Sequence, residues 1–264
     1  MPNWQRFGST WDHLGRKNAL GAILTVDGKV ADWNIGEFLA TGRFDVRRFM
    51  PNLERLSPNT PRTRLLDFGC GVGRVTRVFA NHFDEVVGVD VARSMIEWAQ
   101  SLHADCEQCT FVLNRAPNLR RFADDSFSVV YSRIVLQHIR PSIVRGYIPE
   151  LIRVLEPGGA LMFQLPEETA IAARGSVIFE EAPVVGNALK QRLPKPLVFA
   201  WRRLKYAYLT ASWKPRIEMF GIARDEVESI IRAAGGRMLE AKPDDSHGPD
   251  GNGFEYWVTK DRPA

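Results

Sequence analysis

The chain has 264 residues, 45% of them hydrophobic, and carries 35 basic against 31 acidic side chains for a formal charge of +4. These are values of a globular chain that buries its core in one large domain or two small ones, and so mild a positive excess gives no ground for bulk nucleic-acid binding. The opening MPNWQRFGSTWDHLGRK lacks the apolar core of a secretion signal, and no window approaches the ~18 uninterrupted apolar residues of a membrane span, so a soluble, cytoplasmic protein is expected.

Residues 1–60 read as an N-terminal helical cap, with helices around Trp33 to Leu39 and Arg43 to Leu56, the second broken near Pro51. Its aromatic content, Trp4 and Trp11 among it, implies packing against another surface. The stretch SPNTPRT marks the entry to a main domain assigned to residues 61–264. From Arg64 the elements alternate. TRLLDF is a buried strand, GRVTRVFANHF a helix with an apolar stripe at Val75, Val78 and Phe79, and EVVGVD a second strand. Ser94 to Leu102 is helical, TFVLN is a strand, and SFSVVYSRIVL is a strand running into a loop. Pro141 opens a helix at its first turn, where a missing N–H costs little, and the helix runs to the breaker EPGG. GALMFQLP is a further strand. Periodicity lapses between Glu167 and Phe220, then resumes in the helix ARDEVESIIRAAGG and the runs RMLEAK and FEYWVTK.

Strands alternating with helices impose right-handed crossovers and a parallel sheet covered on both faces. The predicted fold class is therefore α/β: a doubly wound Rossmann-like sheet, mostly parallel with an antiparallel last strand. The N-terminal helical cap and a lid insertion at about 167–220, after the fifth strand, complete it.

Cysteine number is odd, which predicts no disulfide framework, and the C-x-x-C of Cys106 and Cys109 lacks the second pair a zinc site needs. Its spacing reads as chance. His13, His82, His103 and His247 show no pairing at ligand spacing, so no catalytic metal is predicted, and DDSHG at 244–248 reads as a solvated loop.

The chemistry concentrates in LLDFGCGVG, residues 65–73, and VVGVD, which ends at Asp90. A turn between the first strand and the first helix lies at the carboxyl edge of the sheet, where open α/β folds bind ligands. Gly69, Gly71 and Gly73 permit unusual dihedrals and strip the turn of every Cβ that would block a ligand. Asp90 offers two acceptor oxygens to the vicinal hydroxyls of a ribose. A dinucleotide turn needs G-x-G-x-x-G/A, and the spelling G-C-G-V-G-R fails at Arg74. Asp67, before the turn, suits an ammonium group better than a phosphate. The ligand described by these acids is positive at one end and carries a ribose at the other.

LDFGCGVGR and VVGVD resemble the first two motifs of class I S-adenosylmethionine-dependent methyltransferases. SMIEWAQ, SFSVVYSRIVLQHI and RVLEPGGALMFQLP resemble the later segments of that family in the same order, so the likeness is close over about residues 64–166. It implies S-adenosyl-L-methionine as cofactor, with Asp67 and the backbone from Gly69 through Cys70 to Gly71 at the methionine end. Asp90 would take the ribose hydroxyls, and Val91 and Met95 the adenine faces. The third strand departs from the family: many relatives have Gly-Asp-Ala where this chain reads Asn114-Arg115-Ala116, so Asn114 or a main-chain amide stands in for the carboxylate near the adenine. Ser128 replaces another acid common in relatives. Ser132, at the end of the fourth strand, is also assigned to cofactor binding. The segment WDHLGRKNALGAIL, continued by DWNIGEFLATG, resembles one found in bacterial methyltransferases of glycan or polyketide tailoring, with Trp33, Phe38, Gly42 and Arg43 placed to close the cofactor pocket.

LQHI puts His138 on the loop after the fourth strand, where a base for a methyl acceptor belongs. An unperturbed imidazole titrates at about 6.5 and accepts a proton at neutral pH, which favours O-methylation of a small-molecule or glycan acceptor; the bland alternative is a packing or capping histidine. Gln137 beside it is a candidate contact to cofactor or acceptor. N-methylation of a small amine needs no such base, and a non-catalytic scaffold is the third reading. The lid mixes Lys190, Arg192, Lys195, Arg202, Arg203 and Lys205 with Phe199, Trp201, Tyr206 and Tyr208, a composition suited to an acceptor cover or to peripheral contact with a membrane or lipid-linked substrate. No nucleic-acid substrate is expected, since no appended RNA-binding domain is visible.

Overall fold

Seven runs pair into one sheet: β1 (Arg64–Phe68), β2 (Glu85–Asp90), β3 (Cys109–Leu113), β4 (Phe127–Ser132), β5 (Leu155–Pro166), β6 (Gly236–Pro243) and β7 (Gly253–Lys260). In this computed structural model, which describes residues 3–26, 29–30, 33–167, 177–178, 216–244 and 253–261, the strand order is β6-β7-β5-β4-β1-β2-β3. The five strands from β5 to β3 are parallel, and β7 inserts antiparallel between β5 and β6. Strand order reverses between β1 and β4, so the ends of those two strands open the crevice that such sheets use for ligands. The lid sequence and the DDSHG stretch after Asp244 lie almost wholly outside the described residues.

Both faces of the sheet are covered, which is why its strands read as near-continuous apolar runs. On one face Leu66, Val87 and Val130 pack with Ile148 and Leu151 of α5 (Pro141–Val154) and Val227 of α6 (Arg224–Ala233). On the other, Leu65, Val129, Tyr131 and Trp257 meet Val46, Phe49 and Leu53 of α2 (Ile35–Leu56). Phe49 is the centre of that layer, its ring 5.0 Å from Trp257 and 5.3 Å from both Phe79 and Tyr131. Burying each such side chain contributes about 1.5–3 kcal/mol.

The N-terminal region is more helical than its sequence pattern suggests. α1 (Asn3–Ile23) is a helix that the pattern does not announce, kinked at Asn18 (φ −156°, ψ 81°), whose Oδ1 accepts from the Gly21 N–H at 2.9 Å and starts a second helical piece. Its stability is tertiary. Gly8 lies against Val91 and Gly15 against Ser94, where a Cβ would come within 2.4 Å of the Ser94 hydroxyl. Asp12 Oδ1 accepts from the Ser94 N–H at 2.8 Å. α4 (Arg93–Leu102) has Ala92 at its N-cap, which carries no capping oxygen, so α1 supplies the cap from 82 residues away. That backbone donor, with Arg16 beside it, holds the Asp12 carboxyl below its usual range although burial pushes it up.

Other boundaries also differ from expectation. α2 is one helix that runs through Pro51: Pro51 and Arg47 both lie on its exposed face, where the loss of one helical N–H donor is tolerated better than in the core. The first crossover helix, α3 (Thr76–Phe79), is a single turn, because the glycine turn runs on to Val75. EPGG ends α5 at Val154 as expected but is itself taken into β5, which starts at Leu155 and absorbs it as a register irregularity against β4. Cys106 and Cys109, read as chance spacing, form a disulfide: the Cys109 N–H donates to the Cys106 carbonyl and the turn brings their Cα atoms to 5.3 Å, within bonding range. Among the described residues no helix is long and apolar enough to cross a membrane, and no cluster of His, Cys, Asp and Glu could hold a metal.

Candidate active site

The turn after β1 is held by the neighbouring strand, since the N–H groups of Gly69 and Cys70 both donate to the Val89 carbonyl at 2.8 and 3.1 Å. Gly69, Gly71 and Gly73 have φ of +79°, +55° and +80°, in the left-handed region that favours glycine. They differ in what they make room for. A Cβ on Gly73 would strike Phe111 and His103, so that glycine serves packing. Gly69 and Gly71 face the cavity, covered by Val135 and by Ile23 of α1.

Two carboxylates flank this bare backbone. Asp90, at the end of β2, accepts from the Gly71 N–H at 3.0 Å through Oδ2 and from the Ala92 N–H at 2.8 Å through Oδ1. Each oxygen retains acceptor capacity. Burial raises its pKa, and the backbone donors work against that rise. Asp67, 3% exposed, accepts from the Thr76 hydroxyl at 2.5 Å. Burial is the main force that pushes its pKa up to about 6, reinforced by Asp90 and opposed by Thr76 and Arg74. Burial likewise pushes the Cys70 thiol up, so Cys70 stays a neutral wall residue.

Above the turn lies a cavity enclosing about 990 Å³ of empty space, its mouth included. Asp67, Gly69, Cys70, Gly71, Asp90, Val91, Met95, Asn114 and His138 line it. Gly73, Arg115, Ala116, Ser132 and Gln137, also assigned to the site from sequence, do not. Arg115 and Ala116 present carbonyls to Trp4 Nε1 (2.8 Å) and the Tyr147 hydroxyl (2.9 Å). Ser132 is buried and donates to the Phe68 carbonyl at 3.2 Å. Asn114 Nδ2 donates to the Asn118 carbonyl, which fixes the loop after β3.

His138 sits between three groups. A carbonyl only accepts, so Nδ1, 3.1 Å from the Glu218 carbonyl, carries the proton in the neutral ring. Nε2 then accepts from the Gln137 amide at 3.2 Å. The ring packs against Trp11, centroids 5.3 Å apart. This arrangement orients a basic nitrogen at the cavity wall.

Sequence reasoning missed two walls. The first is α1 and the residue that follows it: Trp4, Phe7, Trp11 and Ile23 of the helix and Leu24 beyond it line the cavity, whereas Trp33, Phe38, Gly42 and Arg43 do not. Phe38 is wholly buried, and Trp33 Nε1 donates to the Leu24 carbonyl, so these two residues support that wall from behind. Trp4, Phe7 and Trp11 fall on one helical face, a set of three too sparse to announce a helix by itself. The second wall is polar, formed by Arg74, Tyr131 and Arg133. Nothing local in sequence marks it, because the carboxylates that hold the arginines come from distant segments.

Comparison with known proteins agrees with this geometry. Residues 66–163 match the methyltransferase domain family. Over 151 residues the chain is 31% identical to trans-aconitate 2-methyltransferase of Methylobacterium radiotolerans, covering 53% of this chain and 52% of that enzyme. It is 30% identical over 165 residues to the phosphoethanolamine N-methyltransferase of Triticum aestivum, covering 60% of this chain and 31% of that one. The chain thus spans from under a third to about half the length of these curated relatives. The crystal structure of magnesium protoporphyrin IX methyltransferase from Synechocystis PCC 6803 with bound SAH superposes with a TM-score of 0.59 at 14% identity, over 96% of this chain and 99% of that one. That likeness concerns the fold.

Proposed function

We propose, from the premise that residues 66–163 place this chain among the class I S-adenosylmethionine-dependent methyltransferases, that it methylates an oxygen of a small-molecule or carbohydrate-like acceptor. The observation that carries this reading is the bare turn between two carboxylates. Gly69 and Gly71 bring main chain to the cavity wall beside Val135 and Ile23, Asp67 suits an ammonium group, and Asp90 keeps acceptor capacity for ribose hydroxyls. The residues present therefore fit S-adenosyl-L-methionine, and they fit a diphosphate poorly because two acids would repel it. Val91, Met95 and Asn114 would hold the adenine end.

When bound, this cofactor supplies an electrophilic methyl carbon on a sulfonium, whose C–S bond electrons return to sulfur as the new bond to the acceptor forms. The chain's own residues align the acceptor, exclude water and manage one proton. α1 closes the cavity with an aromatic face, which keeps water from competing. His138 Nε2, presented by the Nδ1 contact to the Glu218 carbonyl, takes the proton of an acceptor hydroxyl that displaces the Gln137 amide from its lone pair, leaving a neutral ether and an imidazolium.

Calorimetric titration with S-adenosylhomocysteine tests the cofactor half: the protein binds it, and Asp90→Ala weakens binding at least tenfold. Absence of binding at millimolar ligand overturns the reading in favour of a scaffold. His138→Ala tests the oxygen half, with an expected loss of about 10²–10⁴-fold in kcat at neutral pH. Full turnover in that variant favours methylation of an amine, the chemistry for which the wheat relative is named.

A further inference from the structure

The polar wall of the cavity is unusual in what it shows and what it hides. Arg74, Arg133 and Tyr131 line the cavity, while the carboxylates that neutralise the two guanidiniums, Asp45, Asp244 and Glu255, do not. The acids stand behind the wall. Arg74 Nη1 binds Asp45 at 2.6 Å, and Arg48 from α2 takes Glu255 at 2.6 Å. Arg133 is held more loosely, 3.2 Å from Glu255, 3.5 Å from Asp244 and 3.7 Å from Asp45. Only the first of these is a hydrogen bond, so most of its five N–H donors remain to be used.

Two further donors point to the same need. The Tyr131 hydroxyl and Arg74 Nε are buried, and neither has a hydrogen-bond partner among the described residues. Tyr131 is 2% and Arg74 6% exposed. Unsatisfied buried polar groups are uncommon and call for an explanation. These two belong to residues bracketing one cavity wall, and Tyr131 stands directly opposite Asp67 in the β4–β1 ladder. Arg133 therefore lines the cavity with donors unspent, and the Tyr131 and Arg74 donors lie buried in the same wall beside Asp67.

We propose that Arg133, Arg74 and the Tyr131 hydroxyl form the subsite that holds a carboxylate of the methyl acceptor. A guanidinium matches the two oxygens of a carboxylate with parallel N–H donors, and a phenol adds a third bond. The subsite anchors the acceptor and leaves its nucleophilic oxygen for His138. The inference rests on the reading of this cavity as a methyl-transfer site and narrows the acceptor to a carboxylic acid that also carries the methylated oxygen.

The test uses succinate as probe and succinamide as its uncharged counterpart, titrated into the full chain with and without S-adenosylhomocysteine. Succinate is expected to bind at least tenfold more tightly than succinamide in both states. Tyr131→Phe, which keeps the ring in its core, should weaken succinate about fivefold and leave S-adenosylhomocysteine affinity within twofold. Arg133→Met should abolish succinate binding; since it leaves the buried Asp244 and Glu255 to Arg48, circular dichroism accompanies it and the phenylalanine variant decides if it fails to fold. Equal binding of the two probes overturns the subsite. So does a tenfold loss of S-adenosylhomocysteine affinity in Tyr131→Phe, which would assign the donors to the cofactor's own carboxylate. Failure to bind S-adenosylhomocysteine at all strikes the methyl-transfer reading instead, and the titration without it still reports on the carboxylate site.

Discussion

Asp67 is the residue whose chemistry depends most on where it is buried. Its carboxyl titrates at about 6 in the folded protein against 3.8 ordinarily, so the folded state binds that proton more tightly than the unfolded chain. The associated stability is full below pH 3.8 and is lost as pH rises through about 6, a difference of about 3 kcal/mol. Asp67→Asn escapes that loss. Its melting temperature should gain on the wild type as pH rises from about 4 to about 6 and keep that gain above it, while its affinity for S-adenosylhomocysteine falls at least tenfold. Binding of an ammonium group favours the ionised carboxylate, so wild-type affinity should also weaken as pH falls below about 6, and calorimetry at that pH in two buffers should register proton release. A pH-independent affinity across the same range would contradict this account.

At the scale of elements, helix contacts at glycines set the site's walls. α2 crosses the glycine turn at Gly42, where a Cβ would lie 2.2 Å from the Arg74 carbonyl. Backbone cannot yield as a side-chain tip can, so Gly42→Ala should destabilise the fold by about 1–3 kcal/mol in urea unfolding. It should also shift Arg74 and hence the polar wall. Gly146, an exposed glycine inside α5, has open space where an alanine would place its methyl group, with no atom within 4 Å. Gly146→Ala should raise stability by about 0.5–1 kcal/mol. The pair distinguishes packing from propensity, since the same substitution is expected to carry opposite signs. The α1 helix illustrates the same point: its pattern is weak, and it exists because Asp12 caps α4 and Gly8 and Gly15 let it lie close.

For the molecule as a whole, the cluster of Asp45, Arg48, Arg74, Arg133, Asp244 and Glu255 ties the N-terminal α2 to the C-terminal strand pair across the site. Glu255 is 3% exposed and bonded to Arg48, Arg133 and the Trp257 indole. Removing one partner of such a set leaves charge buried without compensation, so Glu255→Ala should cost about 3–5 kcal/mol by chemical denaturation. Arg55 with Glu240, an exposed link between the same regions, should contribute at most about 1 kcal/mol.

Local information in the sequence was enough for the strand and helix alternation, the parallel sheet with its antiparallel β7, and the glycine turn with Asp67 and Asp90. Apolar period, glycine and proline act within a few residues, and each of these features is written at that range. Tertiary structure alone decided that Asn3–Ile23 is a helix and a cavity wall, that Cys106 meets Cys109 in a bond, and that Gly73 serves packing. It alone brought Arg133 beside Asp45 and Glu255, which lie far from it along the chain on either side. Charges buried together and caps supplied from another element are settled by desolvation in the assembled core, a quantity that no single stretch of chain possesses.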